Sequence, residues 1–217
     1  MTTEHIVRTF KPRRRRVSPS RAELMARLGA DFVLDERGPA LELAAVFGRT
    51  SAVALEIGFG YGDATVEIAR ARPDVDVIAV DVHTPGVAAV LEAIADGELT
   101  NIRLVHGDAT VFLDRVPPSS LAAVQVWFPD PWPKIRHRHR RLVDAAMARR
   151  FTDLLAIDGV LHLATDIEDY ATQMRDACAA DPRLVAAPPP WRPPTRYEGK
   201  GEDAGRTATD LAYRRQS

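Results

Sequence analysis

The chain has 217 residues, of which 46% are hydrophobic and 27% are charged, and its formal net charge of −1 is typical of an ordinary globular protein. Its single cysteine, Cys178, excludes an intrachain disulfide framework and suits a reducing, cytoplasmic environment. No apolar run approaches the roughly 18 residues of a membrane span, and the N-terminus lacks an apolar signal core, so we expect neither a membrane anchor nor a secretory leader.

The chain begins with a basic segment, and a second dense block of positive charge follows later. The first contains Arg13 to Arg16, and the second is the run KIRHRHRR from Lys134 to Arg141. A basic run is often only a solvated surface, but two of them in a chain of balanced charge indicate a polarised surface that can hold a polyanion. We expect a basic N-terminal arm and helix over residues 1–30, followed by one domain over residues 31–217.

After the arm, short apolar strands alternate with helices of amphipathic spacing. The first strand is SAVALEIG with the helix DATVEIARA, and the second is DVIAVDV with the helix GVAAVLEAIADG. NIRLVHGD and LAAVQVWFPD predict the third and fourth strands, and RLVDAAMARRFTDLLAIDG predicts a long helix that ends at Gly159. VLHLATD predicts a fifth strand, and IEDYATQMRDACAA predicts another helix.

The sequence changes character after Ala186. PPPWRPP can form neither a helix nor a central strand and is expected to be an extended connector, whereas TATDLAYRRQ can supply a last edge strand. Strands that alternate with helices imply an α/β fold, with an open, mostly parallel sheet covered by helices on both faces. In such a sheet, ligands bind at the carboxyl ends of the strands.

The first of these strand ends carries a glycine-rich turn. LEIGFGYGD places Glu56 on the strand and Gly58, Gly60 and Gly62 in the turn, where the backbone can pass close to a ligand. A dinucleotide fingerprint needs its third glycine one position later, where this chain has Asp63. The spacing therefore argues against NAD and favours E-x-G-x-G-x-G, a form used to hold S-adenosylmethionine, although a merely tight turn would look the same.

The next two strand ends also carry acids. Asp81 ends the second strand, where a carboxylate can accept hydrogen bonds from both ribose hydroxyls of an adenosine. Asp108 follows the third strand, where an acid can hold the adenine amine. Either residue alone could be a helix N-cap. Acids at three successive strand ends nevertheless predict a site for an adenosine-type cofactor.

The fourth strand ends in FPDPWPK, in which Asp130 lies between two prolines. Together with LEIGFG, VDVHTPGV, HLATD and TRYEGKG, this string closely resembles the bacterial tRNA (guanine-N7)-methyltransferase family. The resemblance covers nearly the whole chain, and its P-D-P-W-x-K and T-[KR]-[FY]-E strings are far more specific than the glycine loop. It implies a Rossmann-like class I methyltransferase fold with a seven-stranded sheet, and the activity of a tRNA (guanine(46)-N7)-methyltransferase acting in the tRNA variable loop.

The resemblance also implies roles for particular residues. The residues implied to line the S-adenosylmethionine site are Glu56, Gly58, Gly60, Asp81, Asp108 and Asp130, and Asp130 is also the implied active-site residue. The residues implied to face guanine or tRNA are Lys134, Asp166, Thr195, Arg196, Tyr197 and Glu198. The sequence departs from the family pattern at Pro133, where His is common, at Asp81, where Glu is usual, and just before Asp108.

Methyl transfer to guanine N7 suits such a site chemically. N7 carries an in-plane lone pair and no proton, so the reaction needs alignment with the methyl donor rather than a general base. The N1–H and N2–H groups of guanine are donors that a carboxylate such as Asp130 accepts well. The basic runs would then hold the phosphates; the residues expected to contact RNA are Arg13, Arg14, Arg15, Arg16, Arg136, His137, Arg138, His139, Arg140 and Arg141.

Two other functions stay open at the level of sequence. One is an S-adenosylmethionine-dependent methyltransferase of a small molecule, for which the basic runs would be incidental. The other is a non-catalytic RNA-binding module on the same fold, against which the intact set of acids argues. No metal is expected, because His137 and His139 lack a cysteine or third ligand. Trp127 and Trp132 are expected to pack rather than to stack on bases. The sequence leaves both a monomer and a homodimer open.

Overall fold

A mostly parallel sheet forms the centre of the fold, and the computed structural model describes residues 9–10, 16–97 and 99–217. Its strands are β1 (Val33–Leu34), β2 (Ala52–Ile57), β3 (Val75–Asp81), β4 (Ile102–His106), β5 (Leu121–Trp127), β6 (Leu155–Thr165), β7 (Leu184–Ala187) and β8 (Thr209–Arg215). Within the described residues these strands form one sheet in the order β1-β4-β3-β2-β5-β6-β8-β7. The predicted α/β architecture is confirmed.

Helices cover both faces of this sheet. They are α1 (Pro19–Phe32), α2 (Leu43–Phe47), α3 (Asp63–Ala71), α4 (Thr84–Gly97), α5 (Ala109–Phe112), α6 (Ala145–Leu154), α7 (Glu168–Ala179) and α8 (Arg196–Asp203), with 3-10 helices at Leu113–Arg115 and Ile135–Arg140. Local capping explains where the longer ones begin. Ser18 accepts a hydrogen bond from the Arg21 amide and precedes a proline at the first position of α1. Asp144 accepts a hydrogen bond from the Met147 amide at the start of α6.

The core consists of two apolar layers, one on each face of the sheet. Residues of β3 and β4 pack against α4, whose Val90 and Leu91 are fully buried. On the other face, Phe151 of α6 and Tyr170 of α7 pack against β5 and β6 and are also fully buried. Removing the Phe151 ring from such a layer would cost about 3–5 kcal/mol of stability. This rigid centre fixes the strand ends that carry the functional residues.

The sheet has eight strands where the resemblance implied seven, and the strand in excess is β1. It is only two residues long and pairs with β4 at one edge. The C-terminal part of the sheet also differs from the sequence-based expectation. β8 is not an edge strand, because it lies antiparallel between β6 and the short β7, which forms the edge. This insertion brings the beginning of β8 to the carboxyl end of β6.

The helix predicted to reach Gly159 is wrong in its second half. α6 ends at Leu154, and the next residue already begins β6. The apolar run LLAI can be helix or strand, and here Leu155 pairs with Leu121 of β5. Asp158 then adopts a left-handed backbone with φ 66°, which interrupts the strand just before its regular pairing resumes at Val160. Tertiary pairing therefore overrides local helical spacing at this point.

An ion pair joins the N-terminal helix α1 to α4, which covers one face of the sheet. The Arg21 guanidinium donates two hydrogen bonds to the Glu92 carboxylate of α4, at 2.9 and 2.7 Å. α1 extends to Phe32 and leads directly into β1. The division into an arm at 1–30 and a domain at 31–217 stays a prediction. None of the helices in the described part of the chain is long and apolar enough to cross a membrane.

Candidate active site

The carboxyl ends of β2, β3, β4 and β5 meet at a cleft of about 160 Å³. The residues predicted to bind a cofactor that line this cleft are Gly58, Gly60, Asp81, Asp108 and Asp130. The sixth, Glu56, lines a smaller cavity that shares Gly58 and Tyr197 with the cleft. The structure therefore brings together residues that lie up to three strands apart in the chain.

The glycine loop follows β2 in a conformation that only glycine adopts easily. Gly60 has φ 61°, and its amide donates a hydrogen bond to Asp81 Oδ2 at 2.7 Å. Gly62 has φ 79°, and a Cβ atom there would lie 2.0 Å from a methyl group of Val90 on α4. The third glycine is therefore needed for close packing of the turn on α4, directly before α3 begins.

Asp81 is fixed by the backbone of two neighbouring segments. Besides the Gly60 amide, the His83 amide donates to its Oδ1 at 2.8 Å. Burial raises the pKa of Asp81, while these amide hydrogen bonds oppose the rise. His83 Nδ1 lies 3.1 Å from the Gly60 carbonyl oxygen, which can only accept, so Nδ1 carries the hydrogen. Each carboxylate oxygen of Asp81 keeps a further lone pair, so the ribose hydroxyls of an adenosine fit there.

Asp108 is both a helix cap and a residue of the cleft. Its Oδ1 accepts from the Thr110 amide at 2.9 Å and from the Thr110 hydroxyl at 2.8 Å, which caps α5. Its own amide donates to the Glu36 carboxylate at 2.8 Å. The capping alternative is thus realised without removing the residue from the cleft. Among hydrogen bonds in the described residues, only Oδ1 of the carboxylate is engaged.

Asp130 lies on a short loop with unusual backbone geometry. Phe128 and Trp132, on either side of it, have left-handed φ values of 52° and 42°. Such a conformation costs on the order of 1–3 kcal/mol per bulky residue and persists only where the surroundings enforce it. Here the Phe128 amide donates to Ala164 of β6 at 2.8 Å, and Trp132 Nε1 donates to the Thr9 carbonyl at 2.9 Å. The half-buried Asp130 is therefore presented to the cleft by a constrained loop.

Glu56 and Trp127 leave two polar groups unsatisfied in the small cavity. Glu56 is 4% exposed, and burial raises its pKa to about 7. In the described residues neither Glu56 Oε2 nor Trp127 Nε1 has a hydrogen-bond partner, although both side chains line this cavity. One is an acceptor and the other a donor, which matches the ammonium and carboxylate groups of an amino acid. The residues present therefore fit the methionine end of S-adenosylmethionine.

The segment predicted to face the substrate forms α8, which covers the glycine loop. Thr195 and Glu198 make a reciprocal capping box at its start. A Cβ atom on Gly60 would lie 3.2 Å from the ring of Tyr197, so this ring rests on the loop. Arg196 forms an ion pair with Asp63, and its guanidinium lies 4.6 Å from the Tyr61 ring centroid. α8 thus closes one side of the cofactor site.

A buried arginine that the sequence analysis missed anchors this helix. Arg192 is 7% exposed at its side chain and donates to Glu198 at 2.7 Å and to Asp210 at 2.7 Å. Asp210 of β8 also contacts His162 Nε2 of β6 at 2.9 Å. Burial opposes ionisation of Asp210, but the hydrogen bonds from His162 and Arg192 hold its pKa well below the usual range. Only the position of an arginine among prolines hinted at such an anchor.

The remaining predicted substrate residues lie outside the cleft. Lys134 is exposed and immediately precedes the 3-10 helix Ile135–Arg140. Asp166 follows β6 and accepts a hydrogen bond from Arg206 Nε at 2.8 Å. A Cβ atom on Gly201 of α8 would lie 2.8 Å from Asp166 Oδ2, so this acid packs closely against the covering helix. Neither Lys134 nor Asp166 lines the cleft itself.

The basic block forms the surface beside the Asp130 loop. Arg136, Arg138 and His139 are exposed, and Arg138 also pairs with Asp169 at 2.6 Å. Arg140 and His137 are half-buried against Trp132, at 5.0 and 6.0 Å from its ring centroid. Desolvation and the neighbouring cations lower the pKa of His137. The positive charge of this surface comes from Lys134, Arg136, Arg138 and Arg140, and Asp169 offsets part of that of Arg138.

Arg141 is the exception in this block, and the prediction that it contacts RNA is wrong. Its side chain is 1% exposed, and each nitrogen of its guanidinium donates to a protein acceptor. A group so placed cannot reach a phosphate. In the N-terminal run, Arg16 is exposed, whereas Arg13, Arg14 and Arg15 lie outside the described residues.

Two smaller expectations concern the tryptophans and metals. Trp127 and Trp132 are 5% and 7% exposed, which confirms that they pack in the interior. Among the residues that the structure describes, no group of three or more His, Cys, Asp or Glu side chains is placed to hold a metal ion.

Comparison with known proteins gives consistent relatives. A family model described as "Putative methyltransferase" matches residues 50–211. The tRNA (guanine-N(7)-)-methyltransferase of Streptomyces avermitilis is 43% identical over 221 residues, covering 98% of this chain and 76% of the relative. The protein of the same name from Thiobacillus denitrificans is 40% identical over 217 residues, covering 97% and 96%. The solved structure of the 16S rRNA methyltransferase KamB has a TM-score of 0.59 at 15% identity, covering 83% and 96%, and shares the Rossmann-like methyltransferase fold.

Proposed function

We infer the function from the premise that this chain belongs to the tRNA (guanine-N7)-methyltransferase family, and we propose that it methylates N7 of a guanine in tRNA. S-adenosylmethionine is the methyl donor, and its sulfonium would supply an electrophilic methyl group that the N7 lone pair can attack directly. We further propose guanine 46 of the variable loop as the target, as the family resemblance implies, and the cytoplasm as the place of action.

The observation that carries the proposal is the position of Asp130 between two different surfaces. On one side its loop lines the cleft with Gly58, Asp81 and Asp108. On the other side the same loop continues into the basic 3-10 helix Ile135–Arg140. A cofactor cleft alone would suit many substrates, but a cleft joined to a cationic surface suits a base that is attached to a phosphate backbone.

The proposed roles of the residues follow from these positions. Asp81 would accept hydrogen bonds from the ribose, Asp108 would hold the adenine amine, and Glu56 would bind the ammonium group of the methionine end. Asp130 would accept hydrogen bonds from the N1–H and N2–H groups of guanine and offset the positive charge that N7 acquires. Because N7 has no proton to lose, this chemistry needs orientation and charge stabilisation and no general base.

The substrate side is proposed to lie between the Asp130 loop and α8. Lys134 and the exposed arginines would hold tRNA phosphates, and Thr195 and Tyr197 would approach the base from the covering helix. Glu198 and Asp166 are already engaged with Arg192 and Arg206, so we propose that they support α8 rather than donate charge directly to the substrate.

The test is to incubate the purified protein with S-adenosylmethionine and unmodified bulk tRNA, and to map N7-methylguanosine along the tRNA. We expect the modified base at one position in the variable loop of a subset of tRNAs, and severely reduced product from the Asp130→Asn variant. A folded protein that binds S-adenosylmethionine but leaves the tRNA unmodified would contradict the proposal. Product on a small molecule that tRNA does not inhibit would favour the alternative substrate class.

A further inference from the structure

Arg141 is the last residue of the basic block, and its side chain lies inside the protein. Its Nε donates to the Pro131 carbonyl oxygen at 2.8 Å. One terminal nitrogen donates to Gln173 Oε1 at 2.9 Å, and the other donates to Asp169 Oδ2 at 2.9 Å. The guanidinium also lies 4.6 Å from the ring centroid of Tyr170. The fork therefore connects the loop around Asp130 with the first two turns of α7.

The hydrogen bond to Pro131 falls in the strained part of the loop. Pro131 directly follows Asp130 and precedes Trp132, whose backbone is left-handed. The loop would relax toward ordinary backbone angles unless its surroundings opposed this. The Phe128 amide fixes the beginning of the loop on β6, whereas Arg141 fixes the carbonyl of Pro131, the residue after Asp130.

α7 is a firm support for this hydrogen bond. Gln173 Nε2 also donates to the Val143 carbonyl at 3.0 Å, and the Val143 amide donates to the Tyr170 hydroxyl at 3.1 Å. Tyr170 itself is fully buried in the core. The segment from Arg141 to Val143 is therefore fixed on α7, and a displacement of the guanidinium is resisted from both sides.

We propose that Arg141 is a positioning residue for Asp130, which sets the place of the carboxylate through the Pro131 carbonyl and does not itself touch RNA. This inference rests on the proposed function, since it assigns Asp130 to the guanine. It separates the basic block into two parts: exposed arginines that meet phosphates, and a buried one that orients the acid. Lysine cannot replace the fork, because a single ammonium cannot reach three acceptors in fixed directions.

The experiment compares Arg141→Lys and Arg141→Met with the wild type, at saturating S-adenosylmethionine. We expect the single-turnover methylation rate to fall at least tenfold in both variants, because Asp130 is displaced in each. The Kd for tRNA should change less than twofold, and its dependence on salt should be unchanged, because the exposed arginines that meet phosphates are all retained. Arg136→Gln provides the contrast, with weaker tRNA binding and a flatter salt dependence.

A double-mutant cycle then separates positioning from general loss of structure. If Arg141 acts through Asp130, adding Arg141→Lys to Asp130→Asn should reduce the rate less than twofold further. Arg183→Met is the matched stability control, since Arg183 also forms ion pairs, with Asp181 and Asp153, next to the edge strand β7. It should lower thermal stability without changing the methylation rate. If neither Arg141 variant folds, Gln173→Ala should give the same pattern with a smaller loss of rate.

Two results would overturn the inference. Methylation rates of the Arg141 variants that match the wild type at saturating tRNA would show that Asp130 needs no such support. A full additional loss of rate on top of Asp130→Asn would show that Arg141 acts independently of that acid. An inactive wild-type protein would instead contradict the proposed function, so the two failures are distinguishable.

Discussion

At the scale of single residues, the buried carboxylate of Glu56 destabilises the folded protein when it is ionised, and the same carboxylate is placed to bind the cofactor. Its pKa is raised to about 7 by burial, from an ordinary value of 4.5. Between these two values Glu56 binds more protons in the folded state than in the unfolded state, so the contribution of Glu56 to stability falls as the pH rises from about 4.5 to about 7. Above that range the buried charge costs about 3 kcal/mol in the protein without its cofactor. The unpartnered Oε2 of the same carboxylate is available to bind an ammonium group.

We therefore expect Glu56→Gln to stabilise the cofactor-free protein at pH 8 by up to about 3 kcal/mol, and to have little effect at pH 4.5. The amide has the same shape and no charge to desolvate. Urea unfolding of both proteins at the two pH values measures the difference, with the exposed Glu67→Gln as control. An effect of the same size at both pH values would contradict the origin in ionisation. Binding of S-adenosylmethionine should weaken in the same variant.

Asp81 gives a second prediction at this scale. Asp81→Ala removes the acceptors for the ribose hydroxyls and leaves the Gly60 and His83 amides unsatisfied. We expect S-adenosylmethionine to bind about 10- to 150-fold more weakly, the equivalent of about 1.5–3 kcal/mol. Asp81→Glu should cost much less, because it keeps a carboxylate acceptor at the same strand end. Calorimetry measures both, and an unchanged Kd for the alanine variant would exclude the proposed contact. The exposed Asp74→Ala serves as the control.

At the scale of elements, the anchoring of α8 determines how well the cofactor site is closed. Arg192 is paired with Glu198 at the start of α8 and with Asp210 at the start of β8. Arg192→Met would remove the cation that Glu198 and Asp210 share and leave Asp210 with only its contact to His162, and loss of one partner from a part-buried ion pair is strongly destabilising. We expect faster amide hydrogen exchange over α8, together with weaker S-adenosylmethionine binding. As a control, Arg175→Met removes an exposed arginine that pairs with Glu168, and it should change neither the exchange of α8 nor the binding of S-adenosylmethionine. Unchanged exchange in α8 would mean that Arg192 does not anchor it.

The acids of this network also give the anchor a pH dependence. Arg192 lowers the pKa of Glu198, and the pKa of Asp210 lies well below its usual range. A carboxylate with a depressed pKa in the folded state stabilises it above the unfolded pKa, and this stabilisation is lost as the pH falls through the folded pKa. The protection of α8 against exchange should therefore persist through mildly acidic pH and be lost only in strong acid. In Arg192→Met this dependence should shift to higher pH.

These elements also show what sequence reasoning could and could not reach. The strands β2 to β5 and the acids at their ends were predicted because each strand is a bounded apolar run followed by a polar turn. The end of α6 was not, because the run that includes Leu155 suits a helix and a strand equally well. The burial of Arg141 and Arg192 depends on α7 and β8, which are distant in the chain. Local patterns cannot distinguish such arginines from exposed ones.

At the scale of the whole molecule, exposed arginines lie beside the carboxyl ends of the strands although the net charge of the chain is only −1. The exposed arginines of the 3-10 helix Ile135–Arg140 lie beside the cleft at the carboxyl ends of the strands. Arg70 is also exposed, but it lies at the end of α3, which begins at the glycine loop and runs back from it. Arg70 therefore lies toward the amino ends of the strands, away from the cleft. Of these two positions, that of the 3-10 helix is the one placed to contact RNA that enters the cleft.

This arrangement predicts that tRNA affinity falls steeply with salt, and that individual arginines contribute unequally to the slope. Removing one arginine that binds a phosphate should flatten the log–log plot of binding against salt concentration by roughly 0.7–0.9. Arg136→Gln should produce this change and leave S-adenosylmethionine affinity unaltered. Arg70→Gln removes the same charge at the amino ends of the strands and should leave the slope unchanged. Filter binding of one tRNA between low and moderate salt measures both. Equal slopes for the two variants would mean that net charge, rather than the position of Arg136 beside the Asp130 loop, governs binding.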